Sequence, residues 1–142
     1  MTTLHVTFRV GTTDYVVPAA QVLHLESYEL ATRVPGAADY VAGLVQVRGR
    51  VVPVVDLRAR FGLPPIEHTI DHRVIVVQVG ARVAGLLVDS AREVLQLDAT
   101  SFEKPPAMIE STGFVTAVTM ATKRMFLLID VPRIIGEELT HG

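Results

Sequence analysis

Three groups of residues carry side chains that could do chemistry. His68 and His72 stand four apart with Asp71 between them, the spacing by which one helical turn offers two ligands to a zinc ion. No third or fourth ligand stands beside them, and the neighbouring Pro64–Pro65 place them in a connecting segment. They read as solvent-exposed linker histidines. Asp56, Asp89 and Asp130 each close a Val- or Leu-rich run and could supply a paired acid and base. Helix capping accounts for Asp56 and Asp89 without catalysis, and Asp130 repeats Asp56. Gly80-Ala81-Arg82-Val83-Ala84-Gly85 spaces two glycines as a phosphate loop would, but lacks the Lys-Ser/Thr and the following helix. A β-turn explains it better. The chain has no cysteine, so disulfides, thiolate metal sites and cysteine nucleophiles are all excluded. No G-x-S-x-G elbow occurs either. The expectation is a protein without catalytic residues, metal or cofactor.

Bulk properties exclude further classes. A net charge of −2 gives no general attraction to phosphate backbones or acidic lipid. With no tryptophan, five Phe and three Tyr, few platforms exist for stacking bases, so no nucleic-acid partner is expected. No apolar run reaches the ~18–20 residues of a membrane helix. The start, MTTLHVTFRV, lacks a charged segment followed by an apolar one. The expectation is a soluble cytoplasmic protein with no direct membrane insertion. Against this, 49% of residues are apolar and the mean hydropathy is +0.39. A Val-rich β core accounts for part of that excess, and surface binding patches for the rest.

The elements that would position these residues are short β-branched runs broken by Gly, Pro and Asp. Strands are expected near Leu4–Val10, Tyr15–Val17, Val22–Tyr28, Val41–Val47, Arg50–Val55, Arg73–Val79, Arg82–Val88, Glu93–Leu97, Phe114–Met120 and Lys123–Ile129. Gly11–Asp14, Arg48–Gly49 and Gly80–Ala81 read as hairpin turns. Pro53 cannot donate to a ladder, which demands an edge strand or a bulge. Short helices are expected at Pro18–Gln21, Asp56–Phe61, Asp89–Ala91 and Val131–Ile135. Pro64–Pro65 and the polar run Glu67–Asp71 mark a hinge.

The two halves repeat. RVVPVVDLRARFG (Arg50–Gly62) matches RMFLLIDVPRIIG (Arg124–Gly136) without a gap. Upstream, FRVG before VLHL is echoed by VQVG before VLQL. Two copies of one strand plan, each too small to hold ~3–5 kcal/mol alone, point to two small barrels sharing one domain over 1–142. The approximate repeats are 1–66 and 67–142, with strands open to exchange between them.

The stretch from Tyr28 to Gly62, YELATRVPGAADYVAGLVQVRGRVVPVVDLRARFG, resembles the CheW family of chemotaxis coupling proteins. It is similar to that family's Thr-Arg-aliphatic strand, Pro-containing loop, aliphatic-x-Gly strand, Asn-Leu-Arg-Gly turn and aliphatic-Pro-Val-aliphatic-Asp-Leu strand. Gly85–Asp89 and Glu93–Val94 continue the likeness, which runs from about Leu4 to Ile135. The resemblance implies an all-β fold of two five-stranded SH3/OB-like barrels packed together with short connecting helices. It implies a non-enzymatic scaffold coupling the cytoplasmic tips of methyl-accepting chemoreceptors to the regulatory domain of a CheA-type histidine kinase, in receptor arrays at the inner membrane. By motif position the receptor groove carries over to Val6, Ala19, Val22, Leu25 and Val88, a trough suited to an amphipathic helix. Receptor and kinase coupling carries over to Arg48, which Gly49 should present from a tight turn. Gly43 matches a family glycine where two strands approach closely. Arg50, Arg58 and Arg60 read as a solvated basic face. Gln46, Val47, His24 and Thr116 depart from the family pattern, leaving partner identity open, including a parallel chemosensory pathway such as one for surface motility. A ligand-binding OB-like barrel is the alternative class.

Overall fold

Alternating and Val-rich runs of six to nine residues become ten strands in the computed structural model, which describes residues 1–136. They are β1 Thr2–Val10, β2 Thr13–Pro18, β3 Val22–Ser27, β4 Val41–Val47, β5 Arg50–Asp56, β6 Arg73–Val79, β7 Arg82–Val88, β8 Ser90–Asp98, β9 Val115–Ala121 and β10 Arg124–Ile129. Three short helices, α1 Leu57–Arg60, α2 Ala107–Glu110 and α3 Val131–Ile135, join 3-10 turns at Ala19–Gln21 and Ala99–Ser101. The strands form two five-stranded sheets, ordered β8-β1-β2-β10-β9 and β3-β6-β7-β5-β4. Hydrogen-bonded ladders leave β8 and β9 as edges of the first sheet and β3 and β4 as edges of the second.

The two sheet orders correspond under the strand pairing read from the sequence halves. Exchanging each strand for its counterpart in the other repeat turns one sheet order into the other. The hairpin β1–β2 takes β8, β9 and β10 from the second repeat, while β6–β7 takes β3, β4 and β5 from the first. Each sheet has one parallel junction at the matching place, β2 with β10 and β5 with β7. Each also has a connector bridged to an edge strand, Thr32 to Leu44 and Glu103 to Val118. Asp56 and Asp130, the matched aspartates, cap α1 and α3 by accepting from the backbone N–H of Arg58 (3.0 Å) and Arg133 (3.1 Å).

The main apolar core lies between the sheets, and each sheet holds a smaller one on its other face. Val6, Phe8, Tyr15 and Val17 of the first meet Val55, Ile75, Val77, Leu86 and Val88 of the second, closed by Leu57 and Ile134 from the helices. Full burial of each such side chain contributes about 1.5–3 kcal/mol, so this seam fixes the sheets against one another.

Two expectations fail here. Pro53 sits in an interior strand, because β5 lies between β7 and β4. The bulge is in β4, between Val41 and Gly43. Leu44, opposite Pro53, spends its backbone N–H and C=O outward on Thr32, so this is a pair that needs no N–H from Pro53. The ladder to β7 begins one residue later, at Val54. The short helix expected at Asp89–Ala91 is absent: the chain crosses there from one sheet to the other, and β8 begins at Ser90.

The β9–β10 hairpin turns through Thr122 and Lys123, both left-handed at φ 50° and 64°. That conformation suits Asn-Gly and strains a β-branched residue. The double substitution Thr122→Asn, Lys123→Gly is expected to raise stability by roughly 1 kcal/mol, read as a higher denaturant midpoint at unchanged slope.

Candidate functional site

The residues expected to form a trough differ sharply in exposure. Val6 and Val88, with 9% and 0% of their surface exposed, belong to the core between the sheets. Ala19 and Val22 are half-buried and pack on that same core from the turn after β2 and the start of β3. Leu25, further along β3, is 47% exposed. A surface partner could touch Ala19, Val22 and Leu25, whereas Val88 has no surface to offer.

Arg48 and Gly49 form the two-residue turn between β4 and β5, with φ of 52° and 80°. Glycine adopts this geometry freely, but an arginine there is held in a strained conformation. Its side chain is 68% exposed, and its Nε lies 3.2 Å from Oε1 of Glu26 on β3. That ion pair ties the turn to the strand that carries Val22 and Leu25. Between them opens a cleft of about 570 Å³ lined by Glu26, Leu30, Leu44, Gln46, Arg48 and Val74. His24, on the same strand, lines a smaller space with Arg48 and Arg50. Gly43 lies within β4 rather than in a turn, at φ 138°. A Cβ on it would come 2.2 Å from the carbonyl oxygen of Thr32, so the bridge Thr32–Leu44 exists only because position 43 is bare. Thr116 is exposed on β9, and its hydroxyl donates to the carbonyl of Leu128 at 3.4 Å.

The supposed chemical residues form a polar joint. Asp89, at the crossing between sheets, accepts from the N–H of Gly11 at 2.7 Å and from a two-pronged Arg58, Nε to Oδ1 and Nη2 to Oδ2, each 3.0 Å. Its own N–H donates to the carbonyl of Arg9 at 3.0 Å. Asp89 therefore caps no helix; it clamps the first sheet to the second. His72 is 4% exposed, not a solvated linker residue, and its Nε2 lies 3.7 Å from Oδ1 of Asp89. His68 stacks edge-on between His72 and Tyr28. Among the described residues no group of His, Cys, Asp and Glu could hold a metal ion.

The basic face also dissolves. Arg58 is spent on Asp89 and on the carbonyl of Pro64, 2.8 Å from Nη1. Arg60 lies 3.9 Å over the ring of Tyr40 and donates to the carbonyls of Ile134 and Arg133 at the end of α3. Only Arg50 of the three remains a plainly exposed cation. Long-range ion pairing of this kind leaves no local sequence signal; the sole hint was the paired Asp-x-Arg of Asp56–Arg58 next to a hinge.

No described helix is long and apolar enough to cross a membrane. A family model for the CheW-like domain matches residues 4–139. The chain is 33% identical over 135 residues to chemotaxis protein CheW of Rhizobium meliloti (strain 1021), covering 94% of this chain and 87% of that one. It is 29% identical over 133 residues to chemotaxis protein CheW of Klebsiella aerogenes, covering 92% and 80%. The crystal structure of the scaffolding protein TtCheW from Thermoanaerobacter tengcongensis superposes with a TM-score of 0.88 at 28% identity, covering 94% of this chain and 92% of that one. Two five-stranded sheets with short helices are thus shared with a solved scaffold.

Proposed function

We propose a function on the premise that this chain belongs to the CheW-like domain family, whose chemotaxis scaffolds are non-enzymatic and link receptors to CheA. In this protein the rim made by Ala19, Val22 and Leu25 receives one face of a chemoreceptor's helical tip, over a floor that includes Val6 and Val88. Arg48 anchors the receptor or kinase from the turn at the end of β4. The protein works in the cytoplasm, in arrays under the inner membrane, and holds receptor and kinase together without changing either. A receptor shift then alters the kinase's populations through differential contacts.

The observation that carries this reading is the placement of Arg48. A left-handed arginine in a two-residue turn is a strained choice where Asn or Gly would be relaxed. Its guanidinium is exposed and tied through Glu26 to β3, the strand that also carries Val22 and Leu25 on its other face. An arginine so placed suits anchoring through charge-assisted hydrogen bonds.

Opposite effects on fold and coupling test it. Arg48→Gly is expected to leave the fold at least as stable, by up to roughly 1 kcal/mol, because the strained backbone relaxes. The same variant, and Arg48→Glu, should lose most kinase activation in a reconstituted mixture of receptor, CheA-type kinase and this protein. Full activation by Arg48→Gly at equal protein concentration would remove Arg48 from the interface. Leu25→Glu, exposed and outside the core, should weaken receptor co-sedimentation with no change in melting temperature. Unchanged co-sedimentation would count against the rim.

A further inference from the structure

The connecting segment between α1 and β6 is tied to the Asp89 joint at two points, and one of them is a buried histidine. Arg58 reaches the carbonyl of Pro64 with Nη1 while its other nitrogens hold Asp89. His72 occupies the far end of the segment. Its Nδ1 accepts from the backbone N–H of Thr69 at 3.0 Å. A ring nitrogen that accepts carries no hydrogen, so the one proton of the neutral ring sits on Nε2, facing Asp89. A second ring proton would have to go on Nδ1, directly opposite the Thr69 N–H. Two donors would then face each other in a buried place, and the bond that closes the segment would be lost.

We propose that His72 is a proton-operated latch: protonation at Nδ1 breaks its hold on Thr69 and loosens the far end of the segment, residues 66–72, while Arg58 keeps its hold on Pro64. The charges around it are placed for this. Asp89 on the crossing faces Nε2, and Arg58 on α1 already neutralises that carboxylate with two prongs. His68 on the segment lies with its ring centroid 5.0 Å away. Arg73 on β6 holds the carbonyls of Ile70 and His72 through Nη1. A protonated His72 therefore adds a cation among two arginines and one carboxylate. Thr69 Oγ1, 3.3 Å from Nδ1, accepts from the N–H of Asp71 and has one lone pair left, so a protonated Nδ1 can keep a long contact to it only after turning away from the Thr69 N–H. Burial, then the facing His68 and, more weakly, Arg58 hold the His72 pKa below its ordinary value, against the pull of Asp89 and of Thr69.

The sign of the coupling follows. The closed segment keeps His72 neutral, whereas the open segment lets it titrate near the ordinary ~6.5. Closure is fully stable above that value and is lost as pH falls toward the lower pKa of the closed state. The opening equilibrium should therefore rise by up to about tenfold per pH unit below ~6.5.

The test uses the full chain and needs no partner, so it stands apart from the receptor reading. Nitrogen NMR of the ring should show the Nε2–H tautomer of His72 at neutral pH, and the Nδ1–H tautomer would overturn the latch. The protection factor of the Thr69 amide should fall by up to about tenfold per unit as pH drops below ~6.5. In His72→Gln the amide oxygen can accept from Thr69 and the amide nitrogen can face Asp89, with nothing to titrate. That variant should keep Thr69 protected independently of pH. His5→Gln, which changes the other buried histidine among the described residues, should keep the pH dependence of the unaltered protein. A Thr69 protection factor that does not change with pH in the unaltered protein, or one that falls equally in His72→Gln, would overturn the proposal.

Discussion

Gly43→Ala should cost about 3 kcal/mol or more, measured by denaturant unfolding, while Gly49→Ala costs only ~1 kcal/mol. Both glycines are left-handed, at φ 138° and 80°, so both substitutions strain the backbone. They differ in what a methyl group would meet. At Gly49 nothing lies within 4 Å. At Gly43 the carbonyl oxygen of Thr32 would be 2.2 Å away and the N–H of Arg33 3.1 Å, and both are backbone atoms that cannot swing aside. The connector must retreat, and with it go the two Thr32–Leu44 hydrogen bonds of 2.8 Å. Each such bond is worth about 0.5–1.5 kcal/mol net. Added to a backbone penalty of about 1–3 kcal/mol, the loss is a large share of a typical domain's ~5–15 kcal/mol. Equal costs at the two positions would show that the close approach of the connector contributes nothing.

This contrast also shows what a sequence can and cannot disclose. Gly49 was legible from local chemistry, because Arg48-Gly49 between two Val-rich runs is a turn by itself. Gly43 owed its notice to resemblance alone, since its partner lies eleven residues away in an irregular connector. Strands were legible because β-branching and turn residues act locally, and β4, β6 and β7 lie where the residues place them. The ungapped match of Arg50–Gly62 with Arg124–Gly136 was legible too, and it foreshadows the equivalence of β5–α1 and β10–α3. Helix α2 went unread: four residues after Pro105–Pro106 carry little periodicity, though Gly113 downstream was a stop signal. The fates of His72, Arg58 and Asp89 were illegible in principle. Gly11 and Asp89 are 78 residues apart, and Arg58 and Asp89 are 31 apart. Only the exchange of strands between repeats brings them together. The trough suffered likewise, since motif position cannot say that Val88 is sealed while Leu25 is half bare.

The other large effect is expected at that joint. Asp89→Ala should destabilise the protein by about 3–5 kcal/mol, because it leaves a guanidinium and a backbone N–H facing a space built for a carboxylate. Both charged side chains are less than one-fifth exposed, so water cannot replace the missing partner as it would on the open surface. Asp89→Asn should cost less, since an amide oxygen can still accept from Gly11 at the price of one unpaired arginine. The decisive variant is the pair Arg58→Met with Asp89→Leu. If the two ions act as one unit, removing both discards the attraction and the desolvation penalty together. The double variant should then be at least 1–2 kcal/mol better than the sum of its single changes, as coupled buried pairs are. Simple additivity would mean that Arg58 and Asp89 hold the sheets by independent contacts. In that event Asp89 would hold the first sheet through the Gly11 N–H and the Arg9 carbonyl whether or not Arg58 is present.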